Sequence, residues 1–443
     1  MRLLRAYKRI IVFSLVFACS ALILIHPNEW GLFFGGLAML IASQLFWIRR
    51  LLDLGERFFP GKPRRAWLAI IAAIVYVFLF AYSFAHLGVL HQITMGHRPR
   101  AADPRLRSIL IDGVVSWWLF GSLVGFVMIM FFWAVDGATD AAAWVYRRAA
   151  AAGHAATLKP GAIDPLLLAR RRFLKQTAVV VSATPFLASG YGLVYGRLNV
   201  EVTHRRIHLA RLPKTFEGFR IAQLSDFHIS PFLTADEIRR CVTITNRLKA
   251  DLVVMTGDYL GWDPAAQGEV VQVLAGLRAP YGVFGCLGNH ETITQTEESI
   301  TRLFAAQDFH ILRQERASIR SHGETLNLIG VDDSHPDLEG VEHLIVPDTV
   351  NILLVHEQGP HGFDRADELG IDLTLAGHTH GGQLSLDFVH RGHNLSRLMS
   401  PYTSGWYEKS GSQLYVNRGI GTTIFPIRLG ARPEITVLEL SRS

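Results

Sequence analysis

Five short, mainly apolar runs in the C-terminal half of the chain are each followed by residues of the types that bind metal ions. The runs are 221–224, 252–256, 281–287, 351–355 and 371–376, and they are followed by Asp226 and His228, by Asp258, by Asn289 and His290, by His356, and by His378 and His380. Runs of this length are typical of buried β-strands. In open α/β sheets the ligand site lies outside the carboxyl ends of the strands, so the recurrence predicts one site that gathers these side chains.

The last of these segments carries the strongest local signal. His378 and His380 are two residues apart and stand before Gly381 and Gly382, so a tight loop can direct both imidazoles to one point. A single His-x-His is also common in surface loops, and alone it does not separate the two interpretations. The four other segments favour the metal site.

Together the motifs resemble the signature of the calcineurin-like metallophosphoesterases. The matching segments are Asp226-x-His228, Gly257-Asp258, Gly288-Asn289-His290-Glu291, His356 and Gly377-His378-x-His380. The resemblance covers the chain from about residue 200 to the C-terminus and implies an α/β fold, a metallophosphoesterase β-sandwich flanked by helices. Segments 417–421, 426–428 and 432–434 are similar to a membrane-associated bacterial branch and to animal transmembrane proteins with a metallophosphoesterase domain.

This resemblance implies a centre that holds two divalent metal ions, with manganese, iron or zinc as candidates. Asp258 is the predicted bridging ligand. Asp226, His228 and His380 would complete the first metal shell, and Asn289, His356 and His378 the second. A mixture of carboxylate, amide and imidazole ligands suits these metals better than calcium, which prefers oxygen ligands alone. Two such cations bind phosphoryl oxygens and generate hydroxide from water at neutral pH.

His290 is predicted to be the general acid that protonates the leaving oxygen, because it adjoins the predicted ligand Asn289 and is assigned to no metal. Imidazole groups titrate close to neutral pH, which suits proton donation. The alternative is a histidine that only orients Asn289. Glu291 is expected to fix the loop or to hydrogen-bond a ligand, and Arg418 either contacts a substrate phosphate or holds the turn at Gly419.

The first 195 residues are much more apolar than the rest of the chain. Hydrophobic residues make up 49% of the sequence, and the mean hydropathy of +0.23 is high for a soluble enzyme. The long apolar runs are 10–25, 30–48, 66–90 and 109–135, with a weaker run at 176–195. Since about 20 apolar residues span a bilayer, we predict about five transmembrane helices. They comprise a four-helix region at 1–135 and, after a cytoplasmic linker at 136–175, a fifth helix or export signal-anchor at 176–195.

Lysine and arginine residues set the predicted orientation. They cluster before the first run, after the second and after the fourth, although the loop after the third run also carries four arginines. Segment 170–175, Arg-Arg-Arg-Phe-Leu-Lys, resembles a twin-arginine export signal, and an ordinary positive-inside cluster explains it equally well. The bias predicts a multi-pass protein of the inner cell membrane with the catalytic domain, 200–443, on the periplasmic (extracytoplasmic) side.

The predicted function is a membrane-anchored phosphohydrolase that cleaves a phosphodiester or pyrophosphate bond in a phosphate-containing lipid or cell-envelope substrate. The alternative is a polytopic transport or sensory protein whose exported domain only binds phosphate-bearing ligands. A sugar-nucleotide lipid would be the substrate only if the site were cytoplasmic. No nucleic acid partner is expected despite the net charge of +6, because the catalytic half lacks a basic stripe interleaved with aromatic residues.

Overall fold

The computed structural model describes residues 36, 38–50, 112–152, 165–332, 338, 340–357, 362–385, 395–398, 400–423 and 425–442. Within this part of the chain two compact units are distinguished. Residues 36, 38–50, 114–152 and 165–190 belong to the first unit, and residues 112–113 and the described residues from 191 onward belong to the second.

Two long helices lie in the N-terminal half of the chain. α1 (Val114–Ala152) contains most of the predicted run 109–135 and continues through the alanine-rich stretch behind it. α2 (Pro165–Val194) contains most of the weaker run, with Pro185 inside the helix. Hydropathy therefore locates both helices, and α1 continues from the apolar run into the segment predicted to be a linker.

Both helices include segments that are suited to a membrane. By length and composition, Val114–Thr139 and Gln176–Leu198 are long and apolar enough to cross one. Residues 38–50, from the predicted run 30–48, are helical as well. The runs 10–25 and 66–90 lie outside the described residues, so the count of five crossings stays a prediction.

Polar side chains in the first unit bond across segments that are far apart in the sequence. Gln44 donates from Nε2 to Ser122 Oγ over 2.8 Å, and the indole N–H of Trp47 donates to the carbonyl of Ser122 over 2.7 Å. Trp117 donates to the carbonyl of Phe186 over 2.7 Å. Such bonds between helices satisfy polar groups where lipid would offer no partner.

Two six-stranded sheets form the framework of the second unit. The strands are β1 (Glu201–His208), β2 (Arg220–Leu224), β3 (Leu252–Thr256), β4 (Val283–Cys286), β5 (His310–Ile311), β6 (Glu315–Ser321), β7 (Glu324–Gly330), β8 (Val350–Leu354), β9 (Leu373–Ala376), β10 (Gly405–Lys409), β11 (Ser412–Val416) and β12 (Glu434–Ser441). Their orders are β1-β12-β2-β3-β4-β5 and β10-β11-β9-β8-β7-β6. The strands β2, β3 and β4 run parallel, as do β8 and β9, so the ligand-bearing carboxyl ends within each sheet lie side by side.

An apolar core lies between the two sheets. Its members include Ile221, Leu252 and Val254 from the first sheet and Leu328, Ile352 and Leu375 from the second. Because successive strand residues point to opposite faces, Ala222 and Val253 pack instead with the residues of the outer helices. The architecture is the α/β sandwich that the sequence predicts.

Helices cover the outer faces of the sheets. They are α3 (Ala235–Leu248), α4 (Gln267–Leu274), α5 (Asn289–Ile293), α6 (Glu297–Ala305) and α7 (Gly362–Glu368). α3 begins with a capping box, in which Glu237 N–H donates to Thr234 Oγ1 and Thr234 N–H donates to Glu237 Oε2. Ile238 on α3 packs into the core of the first sheet, and Phe363 on α7 packs into that of the second.

Candidate metal centre

The loops after β2, β3, β4, β8 and β9 meet and bring the predicted ligands together. The groups whose ligand atoms lie within 4.8 Å of one another are Asp226, His228 and His380; His228, Asp258 and His290; and Asp258, His356 and His378. Asn289 adjoins the last group, because its Oδ1 lies 3.1 Å from His356 Nε2 and 3.2 Å from His378 Nδ1. All the predicted ligands therefore surround one centre.

The Asp258 carboxylate lies between the two predicted metal shells. Its Oδ2 is 3.4 Å from His228 Nε2 on one side and 3.1 Å from His356 Nε2 on the other. Its Oδ1 accepts the backbone N–H of His290 over 2.9 Å, which fixes the carboxylate plane. An anionic oxygen in this position is what two neighbouring cations require of a shared ligand.

The protonation states of His228, His380 and Asp258 fit a pair of divalent cations. Burial lowers the pKa of His228 to about 3, and burial together with His228 and Arg428 lowers the pKa of His380 well below its usual value. Both imidazoles are therefore neutral at pH 7, and their Nε2 atoms face each other over 2.9 Å. Burial acts to raise the pKa of Asp258, but His356 and His228 hold it well below its usual range. Neutral imidazole and ionised carboxylate are the forms that bind metal.

Hydrogen bonds to the backbone decide which imidazole nitrogen faces the centre. His228 Nδ1 donates to the carbonyl of Leu260 over 3.1 Å, and His356 Nδ1 donates to the carbonyl of Thr256 over 2.7 Å. Since a carbonyl oxygen only accepts, Nδ1 carries the proton in both rings and Nε2 keeps its lone pair. Partners of this kind orient metal ligands and fix their tautomer.

Most of the predicted ligands have a backbone conformation that residues other than glycine rarely adopt. The angle φ is +51° at Asp226, +45° at His228, +55° at Asp258, +72° at His378 and +52° at His380. Such conformations cost about 1–3 kcal/mol each and persist only where the surrounding structure compensates. The loops around the centre therefore fix the backbone from which these side chains extend.

Gly257 lets the loops after β3 and β4 touch. Its φ is +81°, and a Cβ atom there would lie 2.6 Å from the backbone nitrogen of Gly288 and 2.9 Å from His356 Nδ1. Glycine is therefore the residue that fits next to Asp258.

Glu291 joins the same two loops through hydrogen bonds. Its buried carboxylate accepts the backbone N–H groups of Asp258, Tyr259, Leu260 and Gly288 over 2.9–3.1 Å. Burial and the nearby Asp258 raise the pKa of Glu291 to about 8, although the N–H groups of Gly288 and Leu260 act in the opposite direction. The loop-fixing role predicted for Glu291 is the one that the structure shows.

His290 is 5% exposed and adjoins the predicted ligands. Its ring contacts His228, with 4.4 Å between ring centroids, and Trp262, with 4.6 Å. Nδ1 donates to the carbonyl of Gly261 over 2.6 Å, so Nε2 is the nitrogen that can gain or lose a proton. Distance alone would also let His290 join His228 and Asp258 as a metal ligand, so the general-acid role stays a prediction.

Arg418 is held by carboxylates of the first sheet. Its Nε donates to Glu434 Oε2 over 3.0 Å, and its Nη2 donates to Glu201 Oε2 over 2.8 Å. Of the two roles predicted for Arg418, these contacts support the one in which it holds the turn at Gly419.

Sequence reasoning misses two residues at the centre, Arg428 and Trp262. Arg428 is 1% exposed, and its Nη2 lies 3.0 Å from Nδ1 of the predicted ligand His380. Trp262 lies against His290. Arg428 belongs to segment 426–428, which resembles the membrane-associated branch, but the sequence assigns it no role at the site, and no local pattern marks Trp262.

Comparison with known proteins agrees with this geometry. The family model of the calcineurin-like phosphoesterases matches residues 219–382, a range that includes all the predicted ligands. YkuE of Bacillus subtilis, an uncharacterised metallophosphoesterase, is 32% identical over 288 residues, which cover 62% of this chain and 98% of that protein.

Two further relatives extend the comparison. A transmembrane protein with a metallophosphoesterase domain from Danio rerio is 27% identical over 422 residues, which cover 91% of this chain and 87% of that protein. The phosphodiesterase YaeI of Escherichia coli is 27% identical over 282 residues, which cover 62% of this chain and 100% of that protein. With its buried groups of histidine and aspartate ligands, the chain is a metal-dependent phosphoesterase that belongs to the calcineurin-like metallophosphoesterase family.

Proposed function

We propose that the chain is a membrane-anchored phosphohydrolase that cleaves a phosphodiester or pyrophosphate bond of a lipid or cell-envelope compound with two divalent metal ions. The observation that carries this proposal is the position of Asp258, whose Oδ2 faces a ligand of each predicted metal shell. The name of the Escherichia coli relative supports a phosphodiester as substrate. The apolar helices support a substrate that is found at a membrane.

Each predicted ligand has a defined part in this proposal. Asp226, His228 and His380 hold one cation, Asn289, His356 and His378 hold the other, and Asp258 is shared. When bound, the two cations would neutralise the phosphoryl oxygens and make water a stronger nucleophile at neutral pH. His290 gives the proton on Nε2 to the leaving oxygen, while the carbonyl of Gly261 keeps the proton on Nδ1 in place.

Replacing His290 with glutamine tests the general-acid role. We expect kcat to fall about 10²–10⁴-fold for a diester with an alkyl leaving group, because an alkoxide needs a proton as it leaves. For a p-nitrophenyl leaving group the loss should stay below about tenfold, because p-nitrophenolate leaves without one. Both rates are measured on the full-length, manganese-loaded protein in detergent, together with its metal content by mass spectrometry.

His322→Gln is the matched control, because His322 is an exposed histidine with φ of +47° at the end of the β6–β7 hairpin. It should leave both rates unchanged. A His290→Gln protein that has lost a metal ion would instead identify His290 as a ligand. A metal-loaded native protein that turns over neither ester would contradict the hydrolase and favour a domain that only binds phosphate groups.

For the location we propose a multi-pass membrane protein with the site on the extracytoplasmic side. Support comes from the distribution of lysine and arginine between the apolar runs. The relative in Danio rerio, which is named a transmembrane protein, supports the same location. A phosphatase reporter that is active only outside the cytoplasm, fused after Ser443, should be active. An inactive reporter, with a cytoplasmic reporter active at the same position, would move the site to the cytoplasm and make a sugar-nucleotide lipid the favoured substrate.

A further inference from the structure

Trp262 is a large aromatic residue that is exposed directly beside the predicted general acid. Its side chain is 52% exposed, and its ring centroid lies 4.6 Å from that of His290, with 55° between the ring planes. Exposing an indole to water forgoes the free energy that its burial would release. An exposed tryptophan at a reaction centre is therefore a candidate contact for a ligand.

Trp262 is not on a loose loop. The preceding residue, Gly261, accepts the Nδ1 proton of His290 over 2.6 Å, and Leu260 N–H donates to Glu291 Oε1 over 3.1 Å. The backbone on which the indole is carried is thus fixed to the same helix, α5, that begins with Asn289 and His290.

The rings of His228, His290 and Trp262 form a series that becomes more exposed from the centre outward. His228 is 1% exposed, His290 is 5% exposed and Trp262 is 52% exposed, and each ring contacts the next. A leaving oxygen has to approach His290 to receive its proton. The group attached to that oxygen therefore extends on the solvent side of His290, where Trp262 lies.

A second exposed apolar side chain lies on the same helical face as His290. Ile293 follows His290 by three residues in α5 and is 45% exposed. Residues three apart in a helix are neighbours on its surface. Trp262 in the loop after β3 and Ile293 in α5 are thus two exposed apolar side chains next to His290.

We propose that Trp262 is a specificity-determining residue that contacts the leaving group, and that the enzyme favours esters whose leaving alcohol carries an aromatic ring or an alkyl chain. In the reaction a water oxygen bonds to phosphorus and releases a proton to solvent, while the bond from phosphorus to the leaving oxygen breaks and that oxygen takes the proton of His290 Nε2. The inference rests on the proposed hydrolase function and names the substrate class for it.

The test uses three phosphodiesters that share a methyl group on the non-leaving oxygen. Their leaving groups are p-nitrophenol, octanol and trifluoroethanol, which are a ring, a chain and a small group. Rates are measured by absorbance, ³¹P NMR and ¹⁹F NMR on the full-length, manganese-loaded protein. The ratio of variant to native kcat/KM on each ester cancels the intrinsic reactivity of that ester.

Trp262→Ala should lower kcat/KM about tenfold on the ring or chain esters, mainly by raising KM, and less than about twofold on the trifluoroethyl ester. A loss on the p-nitrophenyl ester alone would identify a planar leaving group, and a loss on the octyl ester alone an alkyl chain. Trp262→Phe should keep most of the preference. Trp144→Ala is the control, because Trp144 is similarly exposed, at 54%, and lies on α1.

Two outcomes would overturn the inference. An equal loss on all three esters would show a structural role. A loss that rises from the p-nitrophenyl to the trifluoroethyl to the octyl ester would show that Trp262 only positions His290, because a more basic leaving oxygen depends more on the proton. Native protein that hydrolyses none of the three esters would contradict the proposed function itself. Native enzyme that hydrolyses them without regard to the leaving group would contradict only the role of Trp262.

Discussion

Asp258→Asn is expected to lower kcat/KM by at least about 10³-fold and to leave the protein with fewer bound metal ions than the native chain. The carboxylate oxygen that faces His228 at 3.4 Å and His356 at 3.1 Å is the one anionic group placed between both predicted shells among the described residues. Two cations repel each other, so removing the shared charge should release one of them. Metal content by mass spectrometry and the rate on bis(p-nitrophenyl) phosphate measure the two effects.

Asp308→Asn is a control for the same chemical change. Asp308 is exposed, and its φ of +59° is close to the +55° of Asp258, so the amide is introduced into the same backbone conformation. Metal content and rate should match those of the native protein. If Asp258→Asn keeps its full metal content and a rate within about tenfold of native, the bridging role is wrong.

The sequence predicts the strands next to the centre because each of them is a buried, apolar run that ends in a polar ligand. The predicted run 252–256 is identical with β3, and the run 221–224 differs from β2 by one residue. Parallel neighbours then place Asp226 and Asp258 at adjacent strand ends. Local pattern is sufficient here because burial and strand direction are both expressed within a few residues.

The neighbours of β2 could not be predicted in this way. β12 (Glu434–Ser441) lies between β1 and β2, parallel to one and antiparallel to the other, although about two hundred residues separate it from both. Strand pairing over such a distance depends on the packing of the whole sheet and leaves no local signal. The same holds for the left-handed backbone at Asp226, since aspartate does not mark that conformation as glycine would.

In the N-terminal half, the hydropathy of the sequence does not show where a helix ends. The boundary at residue 135, where hydropathy falls, lies inside α1, which continues to Ala152. Alanine is the strongest helix former but is only weakly apolar, so the stretch behind residue 135 keeps the helix without adding to the hydropathy of a membrane span. A hydropathy run locates a membrane segment and not the ends of the helix that contains it.

Arg428 is a buried charged residue whose contacts cannot be read from the sequence. Its side chain is 1% exposed and donates to His380 Nδ1, to the carbonyls of Gly419 and Gly421 and to that of Ala431. Each N–H group of the guanidinium therefore takes the place of a water molecule as the donor to a buried acceptor. One guanidinium thus connects a predicted metal ligand to the turn beside β12.

Replacing Arg428 with methionine should lower the melting temperature by about 6–12 °C, which corresponds to about 3 kcal/mol for a domain of this size. Methionine fills a similar volume but leaves the buried carbonyls without donors. The melting temperature is measured on the full-length protein by scanning fluorimetry without metal. Arg432→Met is the control, because Arg432 belongs to the same loop but is 43% exposed, and it should shift the melting temperature by no more than about 2 °C. Arg428→Met protein that melts like the Arg432→Met protein would show that the guanidinium does not hold the turn.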